Sequence, residues 1–328
     1  MDTLATVAGT YNVYLSGNLG SAAQPYTSDS EGAMAVGGSA WFRSFAVGGV
    51  NTHGAPALTV GGNLTYEAGT IHGDAWVGGN ASFPLNYGGT TVTGNLKVGT
   101  LGTAPTQVGG TTTTGAGPVP LNFASVTSDL QAASQFLQSA AAIAQGTLGS
   151  VALLYGHQLH LTGTSSGINY FNLTDAQFAV LGSGSFTIDA PAGSTAIINV
   201  SGSSITVGSP GNFGFFYNGI GVDHVLFNFY EATTLSMQSF DGSILAPLAT
   251  VSYVNGQMNG TLMAANLSST TWQNGEFHDD PFRGLLPEIL QTGDGPTAMD
   301  EPAPFALLGF GLLAAAGLRR ISGRRSAR

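Results

Sequence analysis

The sequence predicts an all-β chain with one long helix, wound as an irregular right-handed β-solenoid. Three observations lead there. Gly is abundant (49 of 328 residues), charged residues make up only 8 % and hydrophobic residues 43 %, so the chain can build a core and lacks the charge that keeps disordered segments solvated. A short phrase of an apolar residue followed by Gly-Gly recurs along the first third. One segment of over twenty residues carries neither Gly nor Pro.

The recurring phrase reads Ala35-Val36-Gly37-Gly38, Ala46-Val47-Gly48-Gly49, Thr59-Val60-Gly61-Gly62-Asn63 and Trp76-Val77-Gly78-Gly79-Asn80, with looser echoes at Val92-Thr93-Gly94-Asn95 and Val108-Gly109-Gly110. Its first four valines stand 11, 13 and 17 residues apart. An inward apolar residue followed by a glycine corner is what a β-solenoid rung requires, and the uneven spacing predicts rungs of unequal length. The glycines are expected to supply positive φ at the corners. A β-sandwich is the structural alternative, because distributed turn signals also fit it.

The helix is predicted over about 123–145. Val126, Leu130, Ala133, Leu137, Ala140 and Ala144 step by 4 and 3 and so share one face. Asn122 or Ser125 caps its start and Gly146 its end. Such a helix needs a surface to cover, and the flank of a solenoid offers one. Strand phrases then return at residues 159–162, 185–189, 196–200, 204–207 and 225–235.

Charge divides the chain. Five of its eight basic residues, Arg319, Arg320, Arg324, Arg325 and Arg328, lie in the last ten positions, leaving Arg43, Lys97 and Arg283 against all 18 acidic residues. A body of that sign is repelled by phosphate backbones, which argues against nucleic acid as a partner. Without Cys there is no disulfide, thiolate ligand or thiol nucleophile. Met1-Asp2-Thr3-Leu4-Ala5 has neither a basic nor an apolar stretch of the kind that opens a secretory signal, so export is argued from the other end.

There, residues 291–302 form a polar linker and residues 303–318 an uncharged, mostly apolar run backed by the arginines. As a helix the run spans roughly 24 Å, short of the ~30 Å hydrocarbon core but usable with local thinning. Phe305, Leu307, Leu308, Phe310, Leu312, Leu313 and Leu318 are the expected membrane anchor. The positive-inside bias makes 319–328 a cytoplasmic tail and puts the body, residues 1–290, outside. Asp300-Glu301-Pro302-Ala303, the apolar run and the basic end together resemble a PEP-CTERM sorting tail, with Asp300 where that motif has its first Pro. The resemblance implies an exosortase-type processing protease as partner, in the envelope or extracellular matrix of a Gram-negative bacterium, with exopolysaccharide as a further partner it allows.

The body carries a second resemblance. Asp29-Ser30-Glu31-Gly32 running into Ala35-Val36-Gly37-Gly38 is similar to the opening of choice-of-anchor A domains, and Asn228-Phe229-Tyr230-Glu231-Ala232-Thr233, Gly242-Ser243-Ile244-Leu245-Ala246-Pro247 and Asn259-Gly260 resemble their closing half. That family implies a surface protein, structural or adhesive, with no catalytic residues to carry over. The layout of rungs, one helix and more rungs also resembles microbial ice-binding solenoids.

No catalytic, metal or cofactor site is assigned from the sequence. Gly163-Thr164-Ser165-Ser166-Gly167 spells a nucleophile elbow, but no helical pattern follows it. His157 and His160 are three apart, on opposite faces if both lie in one strand. Glu276-Phe277-His278-Asp279-Asp280 offers oxygen ligands for a divalent cation, although a solvated loop accounts for the same residues. Thr90-Thr91-Val92-Thr93 and Thr111-Thr112-Thr113-Thr114 suit an ice-binding face, and Trp41, Trp76 and Trp272 suit sugar stacking. A polysaccharide-cleaving solenoid would instead need carboxylates converging on one face, with Asp175, Asp189, Asp223, Glu231 and Asp241 as candidates.

Overall fold

The computed structural model describes residues 1–179, 184–207, 214–269 and 274–288. Strands stack in parallel as the rungs of a solenoid with three faces. One face begins at Thr147–Leu148 and passes through Ile168–Thr174, Thr195–Ser201 and Val225–Asn228. The long strands Ser243–Tyr253 and Leu262–Ser268 follow, and Leu262–Ser268 lies against Tyr11–Leu15. The face then continues through Ala33–Val36, Leu58–Val60, Ala75–Ser82 and Leu96–Leu101 to Thr112–Thr114. Parallel rungs exclude a sandwich, whose sheets are antiparallel. Among the described residues the antiparallel pair is Ser150–Leu154 with Gln158–Thr162, at the end of a separate four-stranded sheet.

The stacking order differs from the chain order. The first rung sits mid-stack: Val13, Tyr14 and Leu15 pair with Leu262, Met263 and Ala264 on one face, Leu19 bridges Leu267 on the second, and Ser30 pairs with Phe277 on the third. From this seam the N-terminal half climbs outward to Thr114. The C-terminal half starts at the opposite end, at Thr147, and winds back in. Residues 115–122 recross the five rung spacings between Thr112–Thr114 and Tyr11–Leu15, about 24 Å at ~4.8 Å each, which eight nearly extended residues span. Helix α2 (Phe123–Leu137) then covers the next four spacings; fifteen helical residues give about 22 Å.

Both longer helices pack on one outer face. Helix α1 (Asp2–Thr10) buries Leu4, Val7 and Ala8, and α2 buries Leu130, Ala133, Ser134 and Leu137. Their apolar residues form one cluster with Tyr14, Ala35, Tyr170, Ile197, Leu226, Leu245 and Met263, which point outward from successive rungs. The expected flank-covering helix is therefore present, and Asn122 caps it by accepting from Ser125 N at 3.2 Å. It ends earlier than its periodicity implies. The chain turns at Gln138–Ser139 and a separate helix α3 (Ala140–Ile143) begins, capped by Ser139, so that Ala142 is buried while Ala140 and Ala144 face solvent. Gly146 lacks the positive φ of a C′ cap.

The corner phrase needs correction. Val36 and Val47 lie on different faces. Val36 stacks on Val60, Val60 on Val77 and Val77 on Val98, whereas Val47 stacks on Ile71 and Ile71 on Val92. The glycines also serve another purpose. Gly37, Gly61, Gly78 and Gly99 form a column without positive φ, in which a Cβ on each would stand 2.4–2.5 Å from the carbonyl oxygen of the rung below. Close approach of stacked backbones excludes a side chain there.

Candidate functional site

Two surfaces concentrate polar chemistry, and the rungs build both. The first is a grid of hydroxyls on the second face. Leu235, Val251 and Leu267 point inward from consecutive rungs, so the residues on either side of each point out. Ser204, Thr234, Thr250 and Asn266 align in one column, and Thr206, Ser236, Ser252 and Ser268 in the next. Thr234 Oγ1 donates to Ser204 Oγ at 2.9 Å, and Asn266 Nδ2 to Thr250 Oγ1 at 3.3 Å. Past the seam the second column continues as Trp41, Thr65 and Ser82. Grid points repeat every ~4.8 Å across rungs and ~6.6 Å along a strand, and these eleven positions carry no charge.

Asn side chains hold the neighbouring corner in register. Asn266 Oδ1 accepts from Asn18 N, Asn18 Oδ1 from Ser39 N and Asn63 Oδ1 from Asn80 N, each at 2.8 Å. Of these, Asn63 is the Asn of a Gly-Gly-Asn phrase.

The second surface is an acidic ledge where the two halves meet on the third face. Glu31 follows strand Tyr26–Ser30, and Glu276 and His278 share the outer side of strand Glu276–His278. The segment expected as a loop is thus partly strand, with Phe277 buried. One ligand-type atom from each of Glu31, Glu276 and His278 lies within 4.8 Å of the others. Asp279 Oδ1 pairs with His53 Nε2 at 2.8 Å. Burial, reinforced by Glu276, raises the carboxyl of Asp29 above its usual range, and burial does the same to Asp280.

Beside Asp29 opens a cleft of about 560 Å³, lined by Ser28, Ser44, Thr70 and Tyr87 among others. Tyr87 is 52 % exposed, and the Arg43 guanidinium lies 4.4 Å from its ring centroid while pairing with Glu67.

The other sequence candidates are dispersed. Thr111–Thr114 sit on the last rung of the N-terminal half, and Thr90 is buried with its hydroxyl donated to Tyr66 O, so neither run contributes to the grid. Trp41 borders the grid; Trp76 stacks under the Lys97 ammonium on another face, 3.9 Å from it; Trp272 lies outside the described residues. Ser165 is held in an Asn-stabilised loop, its N donating to Asn169 Oδ1, and strand Ile168–Thr174 follows. His157 lies outside the strand that carries His160; His160 pairs with Asp189. Among the candidate carboxylates, Glu231 accepts from Gly202 N, Asp223 pairs with His224 and Asp241 accepts from Asn259 Nδ2, while Asp175 opens the short helix Asp175–Ala179. The sorting, anchor and basic residues from Asp300 to Arg328 lie outside the described residues. Among those described, no helix is long and apolar enough to cross a membrane.

A family profile described as "Putative Ice-binding-like adhesive domain" matches residues 4–279, the whole solenoid with its flanking helices. The chain belongs to this family. No curated protein matches it. Among solved structures, this member of the adhesive-domain family is similar to an ice binding protein from an Antarctic Biological Consortium, at 13 % identity and a TM-score of 0.36 over 84 % of this chain and 88 % of that one. It is also similar to the DUF3494 domain of Shewanella frigidimarina ice-binding protein_1, at 14 % identity and a TM-score of 0.36 over 84 % and 94 % of the two chains.

Proposed function

We propose that the protein is a non-enzymatic, exported surface adhesin whose hydroxyl grid attaches to an ordered, hydrogen-bonding surface, with ice as the ligand. The two aligned columns from Ser204–Thr206 to Asn266–Ser268 carry this reading. A rigid grid of uncharged donors and acceptors gains affinity in step only with a surface that is itself periodic, because each rung then meets an equivalent partner without new ordering cost. Membership of an ice-binding-like adhesive family supports the choice. Ice-affinity partitioning and thermal hysteresis of the full chain test it. Thr234→Tyr together with Ser252→Tyr, which break the grid on its solvent side, should abolish partitioning while leaving the far-ultraviolet spectrum unchanged. Partitioning equal to the unaltered chain defeats the reading.

Export and retention rest on the tail, Asp300 to Arg328, acting as a PEP-CTERM-like signal read by an exosortase-type protease. A chain ending before Phe305 should fail to reach or stay at the envelope, and fractionation shows whether it does. A second reading, polysaccharide binding, is favoured by the cleft with its exposed Tyr87 ring, which suits stacking against a sugar. Tyr87→Ala should then remove signal on a glycan array and leave ice partitioning intact.

A further inference from the structure

The ledge at the seam has an electrostatic arrangement that the adhesive reading does not use. Asn259 Nδ2 donates to Asp241 Oδ1 at 2.6 Å, which fixes the amide so that Asn259 Oδ1 faces His278 Nδ1, also at 2.6 Å. An oxygen acceptor there requires Nδ1 to carry the proton, leaving Nε2 of the neutral ring with its lone pair. Nε2 faces Glu276 Oε1 at 3.4 Å. Glu31 is held from the opposite strand: its backbone N donates to Phe277 O, and its Oε2 accepts from Asp279 N, both at 2.9 Å. That leaves Glu31 Oε1 available. His278 and Glu276 are 24 % and 32 % exposed, so an ion in solution can reach them.

We infer that Glu31, Glu276 and His278 form a binding site for a divalent transition-metal ion, Zn²⁺ in the first instance, that clips the last rung of the chain to the first. Bonds of about 2.0–2.1 Å at a tetrahedral angle put neighbouring ligand atoms about 3.3–3.4 Å apart, which is the separation between His278 Nε2 and Glu276 Oε1. The imidazole ligand selects against Ca²⁺ and Mg²⁺, which take oxygen. Two carboxylates and one imidazole leave the fourth position to water. The hydrogen bonds that Asn259 Oδ1 accepts from His278 and that the Asp279 amide donates to Glu31 orient the ligands in the way outer partners do at metal centres. Because Glu31 belongs to the N-terminal half and the other two ligands to the C-terminal half, bound metal would stabilise the seam specifically.

The test uses the tag-free full chain after dialysis against chelator. Zn²⁺ titrated calorimetrically should bind at one saturable equivalent and raise the melting temperature, and Co²⁺ should give the intense visible bands of tetrahedral coordination. His278→Ala and the near-isosteric Glu31→Gln should each weaken Zn²⁺ binding at least tenfold and remove the thermal shift. His72→Ala, which deletes an exposed imidazole elsewhere, should bind like the unaltered chain. Absence of saturable binding, or binding that survives both ligand substitutions in folded protein, overturns the site. Competition by Ca²⁺ at equal concentration overturns the transition-metal assignment. None of these outcomes depends on ice or glycan binding.

Discussion

Asn228 Nδ2 donates to Asn199 Oδ1 at 2.9 Å, rung to rung, on the face that α2 covers. The pair anchors the end of the helix. Asn199 Nδ2 reaches the Leu137 carbonyl at 3.1 Å, Asn228 Nδ2 the Ser134 carbonyl at 2.8 Å, and Ser134 Oγ donates back to Asn228 Oδ1 at 2.6 Å. Carbonyls of a last helical turn have no partner within the helix, and these, being buried, cannot turn to water. The ladder takes them, and α2 stops there.

Replacing Asn228 by Leu should therefore cost more than a surface change. It strands the Ser134 hydroxyl and carbonyl and the Asn199 Oδ1 in an apolar cluster, at about 1–3 kcal/mol for each group left unsatisfied. We expect a loss of at least 2 kcal/mol in denaturant unfolding, together with faster amide exchange over Ser134–Leu137. An effect within ~0.5 kcal/mol, the range of ordinary surface substitutions, would remove the ladder from this role.

The glycine column gives a second expectation. A Cβ on Gly61 would stand 2.4 Å from Gly37 O, whereas one on Gly117 would meet nothing within 4 Å. Gly61→Ala should destabilise by about 1–3 kcal/mol, as overpacking does, and Gly117→Ala should not. Equal stability of the two variants would show that rungs slide apart at little cost.

Much of this arrangement is legible in the sequence, and the failures have physical reasons. The α2 cap at Asn122 and the face Leu130, Ala133, Leu137 are local, so they can be read directly. The break at Gln138–Ser139 is only half local: Ser139 caps the helix that follows, but Asn199 and Asn228, which take the last carbonyls of α2, come from remote positions. Helix α1 has only Leu4, Val7 and Ala8 to mark it, amid Thr, Val and Gly that are poor helix formers; packing against Tyr11, Tyr14 and Leu130 supplies what propensity lacks. Identical phrases at Val36 and Val47 suggest successive rungs, since local sequence does not record which face a residue occupies. The seam pairing Val13 with Leu262 is wholly non-local. For the same reason the hydroxyl grid escapes a search for Thr runs: its members lie in different rungs and align only once stacked, whereas Thr111–Thr114 is contiguous and alternates between faces.

The C-terminal half contains a phenylalanine cluster centred on Phe227, with ring centroids 4.8 Å from Phe240 and 5.3 Å from Phe186. Phe227→Ala should cost about 3–5 kcal/mol. Because each rung of a solenoid contacts mainly its neighbours, exchange protection should fall in Thr195–Ser201 and Ser243–Tyr253 before it falls around Phe42 and Tyr66 in the other half. Uniform loss of protection would mean that the seam couples both halves into one cooperative unit.

Asp189 supplies a pH-dependent expectation. Hydrogen bonds from Asn218 Nδ2 and, second, from His160 Nε2 hold its carboxyl below the usual aspartate value, which is about 3.9. A carboxyl whose folded pKa is depressed binds fewer protons folded than unfolded. Its stabilising contribution is therefore complete above the ordinary aspartate pKa and disappears as pH falls through the lower folded value. Asn218→Leu removes the stronger of these two hydrogen bonds, so the Asp189 midpoint should move up towards the ordinary value, as followed by carboxyl NMR. The stability difference between Asn218→Leu and the unaltered chain should be present at pH 6 and shrink below about pH 3–4, where the aspartate protonates in both. The side chain is 39 % exposed, so solvent screening keeps the effect small. A difference that stays constant from pH 6 to pH 2 would assign the loss to altered packing of the Asn218 strand instead of to charge.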